Sequence, residues 1–172
     1  MKRVYLLTGR PGTGKTRLIK EAIAGAGNKA GGFYTEEIRS SGGVRLGFRL
    51  VTLDGQSAIL AHVNIQSRYR VGKYGVDIES LDRVGIPALQ RAAQECEVVV
   101  VDEIGKMELF SNSFRETVLQ IIKSSKKVLG TIMFTTNPWA DAIKSRPEVE
   151  LIPVTGANYN IVLEELRNWL KG

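Results

Sequence analysis

An eight-residue segment near the N-terminus combines three glycines, a lysine and a threonine at fixed spacing. It matches the pattern G-x-x-x-x-G-K-[ST] and consists of Gly9, Arg10, Pro11, Gly12, Thr13, Gly14, Lys15 and Thr16. Glycines let successive backbone N–H groups turn inward toward a phosphate, and a helix that begins after the loop adds partial positive charge. The lysine can reach the β- and γ-phosphates, and the threonine hydroxyl can bind Mg²⁺. The spacing therefore predicts a phosphate loop for a nucleotide.

Two adjacent carboxylates, Asp102 and Glu103, follow a run of four valines. The run predicts a buried strand, and α/β sheets bind ligands at the carboxyl ends of their strands. We expect Asp102 to hold Mg²⁺ through water, and Glu103 to orient and polarise an attacking water as a general base. Lys15 and Glu103 are therefore the predicted catalytic residues, and Thr16 and Asp102 the predicted metal ligands.

A few polar residues near these motifs have more than one interpretation. Arg10 could touch the γ-phosphate or face solvent, and Lys106 could stabilise transition-state charge or be a surface lysine paired with Glu108. Related ATPases often place a polar residue that senses the γ-phosphate at the end of the next strand, which here offers Thr135, Thr136 and Asn137.

The periodicity of apolar residues predicts the elements that position these groups. Short apolar runs predict strands, spacings of three and four predict helices, and glycine-rich turns between three consecutive strand-like runs predict antiparallel hairpins. Ser113 with Glu116 forms a capping box, Asn137-Pro138 starts a short helix, and Asn160 is expected to cap the last helix. The predicted strands cover 4–8, 32–39, 44–53, 57–62, 97–101, 127–134 and 149–154, and the predicted helices 15–24, 81–95, 113–125 and 161–171.

Strands that alternate with helices predict the α/β class. We expect a mainly parallel P-loop sheet flanked by helices, with an inserted antiparallel hairpin segment after the first helix. The length of 172 residues and the absence of a linker or internal repeat predict a single domain over 1–172.

Composition narrows the class of protein further. The 24 basic and 18 acidic residues give a net charge of +6, which suits an anionic partner such as a nucleotide or a nucleic acid. The basic residues are scattered, and no aromatic-rich basic stripe offers stacking for bases, so nucleic acid is the weaker expectation. No run approaches the ~20 apolar residues of a membrane span. We expect a monomer without a membrane partner.

Single residue types exclude several other sites. The one cysteine, Cys96, cannot form an internal disulfide, which favours a reducing cytoplasm. The one histidine, His62, excludes histidine-rich metal sites. Residues 28–31 begin with Asn-Lys but lack the acidic fourth residue of the guanine-reading N-K-x-D, so a GTP-specific switch is not expected.

Four segments together resemble the small nucleoside-triphosphatase family that includes the human cancer-related nucleoside-triphosphatase. They are residues 9–16, 32–39, 74–77 (Tyr-Gly-Val-Asp) and 102–109. The first is generic, whereas Gly-Phe-Tyr-Thr-Glu-Glu and Asp-Glu-Ile-Gly-Lys-Met-Glu are specific, and the resemblance spans nearly the whole chain. It implies a RecA-like core of the additional-strand, catalytic-glutamate type, and slow, Mg²⁺-dependent hydrolysis of ATP, GTP and other nucleoside triphosphates.

The resemblance also implies a second nucleotide-contacting segment. It would consist of Val99, Val100, Val101, Asp102, Glu103, Ile104, Gly105 and Lys106. Members often have Asn-Arg before the final helix, whereas here Tyr159 follows Asn158. The resemblance therefore gives this position no role.

Two other functions remain open from the sequence. A nucleoside or nucleotide kinase would bind an acceptor where the water sits, and Glu36, Glu37 and Arg39 could line its pocket. The Asp-Glu pair favours water instead. A nucleic-acid-associated ATPase is suggested by the charge and by the RecA-like resemblance, and it would be stimulated by DNA or RNA.

Overall fold

A computed structural model describes residues 2–172 and shows one nine-stranded sheet with helices against both faces. The strands are β1 Val4–Thr8, β2 Ala30–Arg39, β3 Arg45–Thr52, β4 Ser57–His62, β5 Arg70–Val71, β6 Tyr74–Val76, β7 Val98–Ile104, β8 Lys127–Ile132 and β9 Val149–Pro153. The helices are α1 Lys15–Ile23, α2 Ile78–Ser80, α3 Ile86–Glu95, α4 Asn112–Lys123, α5 Pro138–Lys144 and α6 Tyr159–Lys171. A π-helical stretch, Leu81–Gly85, joins α2 to α3, and short 3₁₀ turns cover Gly27–Lys29 and Glu108–Phe110.

The sheet has a parallel half and an antiparallel half, in the order β5-β6-β4-β3-β2-β7-β8-β1-β9. Strands β2, β7, β8, β1 and β9 are mutually parallel, and β3, β4, β6 and β5 extend the sheet from β2 in antiparallel pairs. Strand β2 belongs to both halves, because Ala30 to Phe33 pair with β7 and Phe33 to Arg39 pair with β3. The predicted α/β class with an antiparallel insertion is confirmed.

Helices on both faces explain the apolar runs of the central strands. Val98 to Val101 are all buried, as expected for a parallel strand that is covered from two sides. Helices α1 and α6 pack on one face, and α3, α4 and α5 on the other. On the first face the Trp169 ring stacks on Tyr5 with centroids 4.3 Å apart, and its indole N–H donates to the Lys2 carbonyl oxygen at 2.9 Å. These contacts hold the last helix against β1, just behind the phosphate loop.

Two predicted helix starts are wrong by a few residues. Helix α4 is capped by Ser111, whose hydroxyl oxygen accepts a hydrogen bond from the Phe114 N–H at 3.0 Å, and Ser113 lies inside the helix. Helix α6 begins at Tyr159, so Asn160 is also inside its helix and caps nothing. Both sequences offer two polar residues close together before an apolar run. The path of the preceding loop, which the local pattern does not contain, decides which one becomes the cap.

The two short strands β5 and β6 were not predicted, because two or three residues cannot show a period. The predicted cap at Asn137 is confirmed, since its side-chain oxygen accepts hydrogen bonds from the Trp139 and Ala140 N–H groups at 3.0 Å each. Within residues 2–172, none of the helices combines the length and the apolar character that crossing a bilayer requires.

Candidate functional site

The phosphate loop connects the end of β1 to the first residue of α1. Gly12 and Gly14 have φ angles of 83° and 88°, a left-handed conformation that favours glycine. A Cβ atom on Gly9 would lie 2.4 Å from the Val154 carbonyl oxygen, so a larger residue would push the loop away from the end of β9. The glycines thus allow the loop to wrap closely around the N-terminus of α1, where backbone N–H groups bind anions.

The Lys15 ammonium group lies over the loop. It donates hydrogen bonds to the carbonyl oxygens of Gly9 and Arg10, each at 2.9 Å. A lysine has three N–H donors, so one remains free for a phosphate oxygen. Burial lowers the pKa of Lys15, and the negative charges of Glu103 and Asp102 oppose this shift. The lysine is therefore held beside both carboxylates that the sequence analysis singled out.

Two hydroxyl groups bind the Asp102 carboxylate. The Thr16 hydroxyl donates to Oδ2 at 2.6 Å, and the Thr131 hydroxyl donates to Oδ1 at 2.6 Å. Asp102 is only 2% exposed, and this burial raises the pKa of its carboxyl group. The two hydrogen bonds and the positive charges of Lys15 and Lys20 oppose the rise. None of the ion pairs within residues 2–172 includes Asp102.

This arrangement fits a magnesium ion. A buried carboxylate that forms no ion pair among the described residues and lies next to a hydroxyl is a hard oxygen donor set of the kind that Mg²⁺ prefers. In the described part of the chain, no three His, Cys, Asp or Glu side chains are grouped to hold a metal by themselves. Mg²⁺ characteristically uses one or two protein oxygens together with water and substrate phosphates, and Thr16 and Asp102 match that mode.

An irregularity in β7 places both carboxylates at one cavity. Side chains alternate between faces along a regular strand. The pairing of β7 with β8 shifts register between Val101 and Ile104. As a result Asp102 and Glu103 line the same cavity of about 280 Å³, together with Lys15 and Thr16. Bulges of this kind re-aim side chains at strand ends beside active sites.

The Glu103 carboxylate lies across Gly105. A Cβ atom at Gly105 would be 2.6 Å from Glu103 Oε1, so only glycine leaves the carboxylate in this position. Burial and the charge of Asp102 raise the pKa of Glu103 to about 7, and Lys15 opposes the shift. A carboxylate with a pKa near the working pH is well suited to take up a proton.

The remaining residues of the predicted nucleotide-binding set take varied positions. Pro11 lines a second cavity, and the Arg10 side chain is exposed. Val99, Val100, Val101 and Ile104 are fully buried inside the sheet, so their side chains pack in the core rather than line either cavity.

The structure also shows where the other polar residues singled out in the sequence lie. Lys106 is exposed and forms no ion pair with Glu108 among residues 2–172, because Glu108 is buried with 3% exposure. Of the possible γ-phosphate sensors, Thr135 lines the second cavity beside Lys15, and Asn137 is committed to its helix cap.

The second cavity has a volume of about 400 Å³ and adjoins the phosphate cavity. Lys15, Thr35 and Glu103 line both. The sequence analysis missed Thr35, Thr131 and the role of Gly105. Thr35 lies in the Gly-Phe-Tyr-Thr-Glu-Glu segment that carried the family resemblance, so a signal existed for it. A threonine in the middle of an apolar strand and a glycine after a carboxylate carry no such signal.

Tyr159 lies against the phosphate loop. Its ring carbons are 3.3 and 3.5 Å from the position that a Cβ atom would take on Gly14, and the Arg17 guanidinium carbon is 5.2 Å from its ring centroid. The position to which the resemblance gave no role is thus occupied by an aromatic ring beside the start of α1.

Comparison with known proteins agrees with this geometry. A family model described as NTPase matches residues 4–167. The nucleoside-triphosphatase THEP1 of Thermotoga maritima is 47% identical over 166 residues, which cover 96% of this chain and 94% of that protein. The crystal structure of THEP1 from Aquifex aeolicus superposes with a TM-score of 0.91 at 37% identity, over 98% of this chain and 99% of that one.

The resemblance to the human protein is also confirmed. The solution structure of a human cancer-related nucleoside triphosphatase superposes with a TM-score of 0.81 at 38% identity, over 99% of this chain and 97% of that one. A family model that spans nearly the whole chain, relatives matched along nearly their full length and a shared fold all agree. This chain is a member of the NTPase family.

Proposed function

We propose that this protein hydrolyses nucleoside triphosphates, ATP and GTP among them, to the diphosphate and inorganic phosphate with Mg²⁺ as cofactor. Membership of the NTPase family and the name of its relatives support the reaction class. The observation that carries the mechanism is the convergence of Lys15, Asp102 and Glu103 on one cavity at the N-terminus of α1. This arrangement supports a mechanism in which a phosphate loop, a metal-binding carboxylate and a base act on one γ-phosphate.

Binding of the triphosphate rests on the loop and on the start of α1. The backbone N–H groups of residues 9–16, except Pro11, which has none, surround the β-phosphate, and the free N–H of Lys15 reaches the β- and γ-oxygens. The segment 99–106 lies beneath the γ-phosphate, with Asp102 and Glu103 as its contacting side chains. Thr16 and Asp102 would hold Mg²⁺, which would neutralise negative charge on the triphosphate.

Glu103 carries the proton transfer. Its carboxylate orients a water molecule against the γ-phosphorus and accepts a proton as the water oxygen forms its bond to phosphorus. The bond from the γ-phosphorus to the bridging oxygen breaks, and the diphosphate leaves with that oxygen. Lys15 stabilises the charge that develops on the transferred group. Thr131 and Gly105 act indirectly, because the first holds Asp102 and the second leaves room for Glu103.

The surroundings of the reaction follow from the same features. We propose a monomer in the cytoplasm with a nucleoside triphosphate as its partner. Nucleic acid is the weaker candidate for a partner, because the basic residues of the sequence are scattered rather than gathered in one stripe. We expect ATPase activity to stay unchanged when DNA or RNA is added, and stimulation by either would contradict this view.

Glu103→Gln and Asp102→Asn distinguish catalysis from binding. Glutamine keeps the size of Glu103 but removes the base, so we expect kcat to fall by about 10²–10⁴-fold with little change in nucleotide Kd. Asparagine at 102 weakens the metal site, so the Kd for Mg²⁺-nucleotide should rise and kcat should fall. Phosphate release and equilibrium binding of a non-hydrolysable triphosphate, measured across a Mg²⁺ titration, check both variants.

Two outcomes would count against the mechanism. A Glu103→Gln enzyme with wild-type kcat removes Glu103 as the base. Full activity of the unmodified protein in excess chelator removes Mg²⁺ as the cofactor.

A further inference from the structure

The second cavity is larger than hydrolysis requires. A single water molecule occupies about 30 Å³ in the liquid, whereas this cavity has a volume of about 400 Å³. That volume lies in the range of small-molecule sites, roughly 300–1,000 Å³. Because Lys15, Thr35 and Glu103 line both cavities, the second one opens on the side of the general base. An occupant would therefore meet the γ-phosphate where the attacking water sits.

The antiparallel half of the sheet builds the far wall. Phe48, Leu60 and Val71 supply apolar surface from β3, β4 and β5. The Phe48 ring packs edge-on against Tyr74 with centroids 5.3 Å apart, which fixes an aromatic surface at the cavity. Thr35 and Glu37 face inward from β2, whereas Glu36 forms an ion pair with Arg49 at 3.8 Å and does not line the cavity. Of the three residues that the sequence suggested for an acceptor pocket, only Glu37 lines it.

The charges along the wall favour an uncharged occupant. The carboxylates of Glu37, Glu103 and Glu108 face the cavity and offer hydrogen-bond acceptors. Arg45 is already engaged, because it donates to the Tyr74 hydroxyl at 2.9 Å and forms an ion pair with Glu37 at 3.4 Å. Lys15 belongs to the phosphate loop, and Glu37 and Arg45 neutralise each other as an ion pair. Lys106 is therefore the one cation of the described lining left to bind a phosphate, and Glu103 and Glu108 lie on the same wall. This lining disfavours an anionic acceptor such as a nucleoside monophosphate.

We infer that this cavity binds a nucleoside, whose sugar hydroxyl takes the place of water and accepts the γ-phosphoryl group. Phe48 offers aromatic contact for the base beside the Arg45 guanidinium, whose carbon lies 5.2 Å from the ring centroid, and the carboxyl groups offer acceptors for amino, imino and hydroxyl hydrogens. The inference rests on the proposed function, since it uses the same bound triphosphate and the same base.

The transfer step conserves atoms and charge. The nucleoside hydroxyl oxygen forms a bond to the γ-phosphorus while Glu103 accepts the hydroxyl proton. The bond between the γ-phosphorus and the bridging oxygen breaks, and the nucleoside diphosphate leaves with that oxygen. The products are a nucleoside monophosphate and a diphosphate, and no oxidant or reductant takes part. Hydrolysis is then the reaction that occurs while the cavity holds only water.

The test supplies the intact protein with Mg²⁺, ATP radiolabelled in the γ position, and each common ribonucleoside and 2′-deoxyribonucleoside in turn. We expect at least one nucleoside to yield labelled monophosphate and to lower the release of labelled inorganic phosphate. Val71→Trp narrows the cavity and should lower the ratio of transfer to hydrolysis by at least about tenfold. Val44→Trp is the matched control, because Val44 is 56% exposed and does not line the cavity.

Each outcome decides between the two proposals. Normal release of inorganic phosphate without labelled monophosphate from any nucleoside overturns the acceptor site and leaves hydrolysis standing. No phosphate release in any mixture overturns the proposed function itself. Transfer that Val71→Trp and Val44→Trp reduce equally places the acceptor elsewhere and overturns the inference. Equilibrium dialysis of labelled nucleosides with a non-hydrolysable ATP analogue provides a second readout, and absence of binding there also overturns it.

Discussion

The two halves of the sheet contribute different parts of the candidate site. In the parallel half, the proposed catalytic groups come from two short segments, 9–16 and 102–103, which β1 and β7, on either side of β8, bring to one edge of the sheet. In the antiparallel half, the cavity wall is assembled from single residues on β2, β3, β4 and β5. The parallel half therefore carries its proposed catalytic residues in contiguous sequence motifs, whereas the antiparallel half forms the wall that sets the shape of the second cavity. Variants in the first should change turnover, and variants in the second should change which molecule reaches the γ-phosphate.

The strongest test of this contrast is Lys15→Ala. The loop backbone remains, but the ammonium group that binds the β- and γ-oxygens is lost in both the ground state and the transition state. We expect kcat/KM for ATP to fall by about 10³–10⁵-fold, the range typical of a lost cationic clamp on a transferring phosphoryl group. Steady-state phosphate release measures it, and circular dichroism verifies the fold. Kinetics like those of the unmodified protein would show that the loop is not the phosphate site.

Gly105→Ala tests whether the position of Glu103 matters beyond its presence. The added methyl group would come within 2.6 Å of Glu103 Oε1 and displace the carboxylate, which is the flexible end of its side chain. A displacement of about 1 Å can cost up to about 10²-fold in rate, so kcat should fall while nucleotide Kd stays near its original value.

Gly25→Ala is a suitable control for that variant. No atom lies within 4 Å of the position that its Cβ would take, so an alanine there meets no clash. If Gly105→Ala and Gly25→Ala have equal kcat, Gly105 does not set the position of the base.

Smaller effects are expected on the free energy of unfolding, for which one variant in each half is compared. Thr131→Val removes a buried donor to Asp102 Oδ1, and leaving a buried acceptor unsatisfied costs about 1–3 kcal/mol. Arg45→Ala removes an ion pair between half-exposed side chains, Arg45 and Glu37, together with the hydrogen bond to Tyr74. Pairs of this kind contribute up to about 1 kcal/mol. Denaturant unfolding at neutral pH measures both free energies. If Arg45→Ala lowers the free energy of unfolding by more than Thr131→Val does, the expected difference in stability between the halves is wrong.

Much of the parallel half was predictable because its signals are local. Burial of the four valines, the helix after the phosphate loop and the α/β class all follow from periodicity within a few residues. The antiparallel insertion was also predictable, since glycine turns between strand-like runs indicate hairpins. Helix caps were less so: the capping-box pattern favours Ser113, with Glu116 three residues later, whereas in the structure Ser111 caps the helix.

By itself, then, the sequence identified the phosphate-loop motif and the two adjacent carboxylates, and it predicted the order of the longer strands and helices. These depend on residue types at fixed short spacings, and the backbone geometry that they require is local. The tertiary structure decided that Thr131 binds Asp102, that the register shift in β7 turns Asp102 and Glu103 toward one cavity, and that Gly105 makes room for the base. It also decided which side chains of the hairpins line the second cavity. Such contacts join residues far apart in the chain, and they exist only once the strands have paired in one particular register.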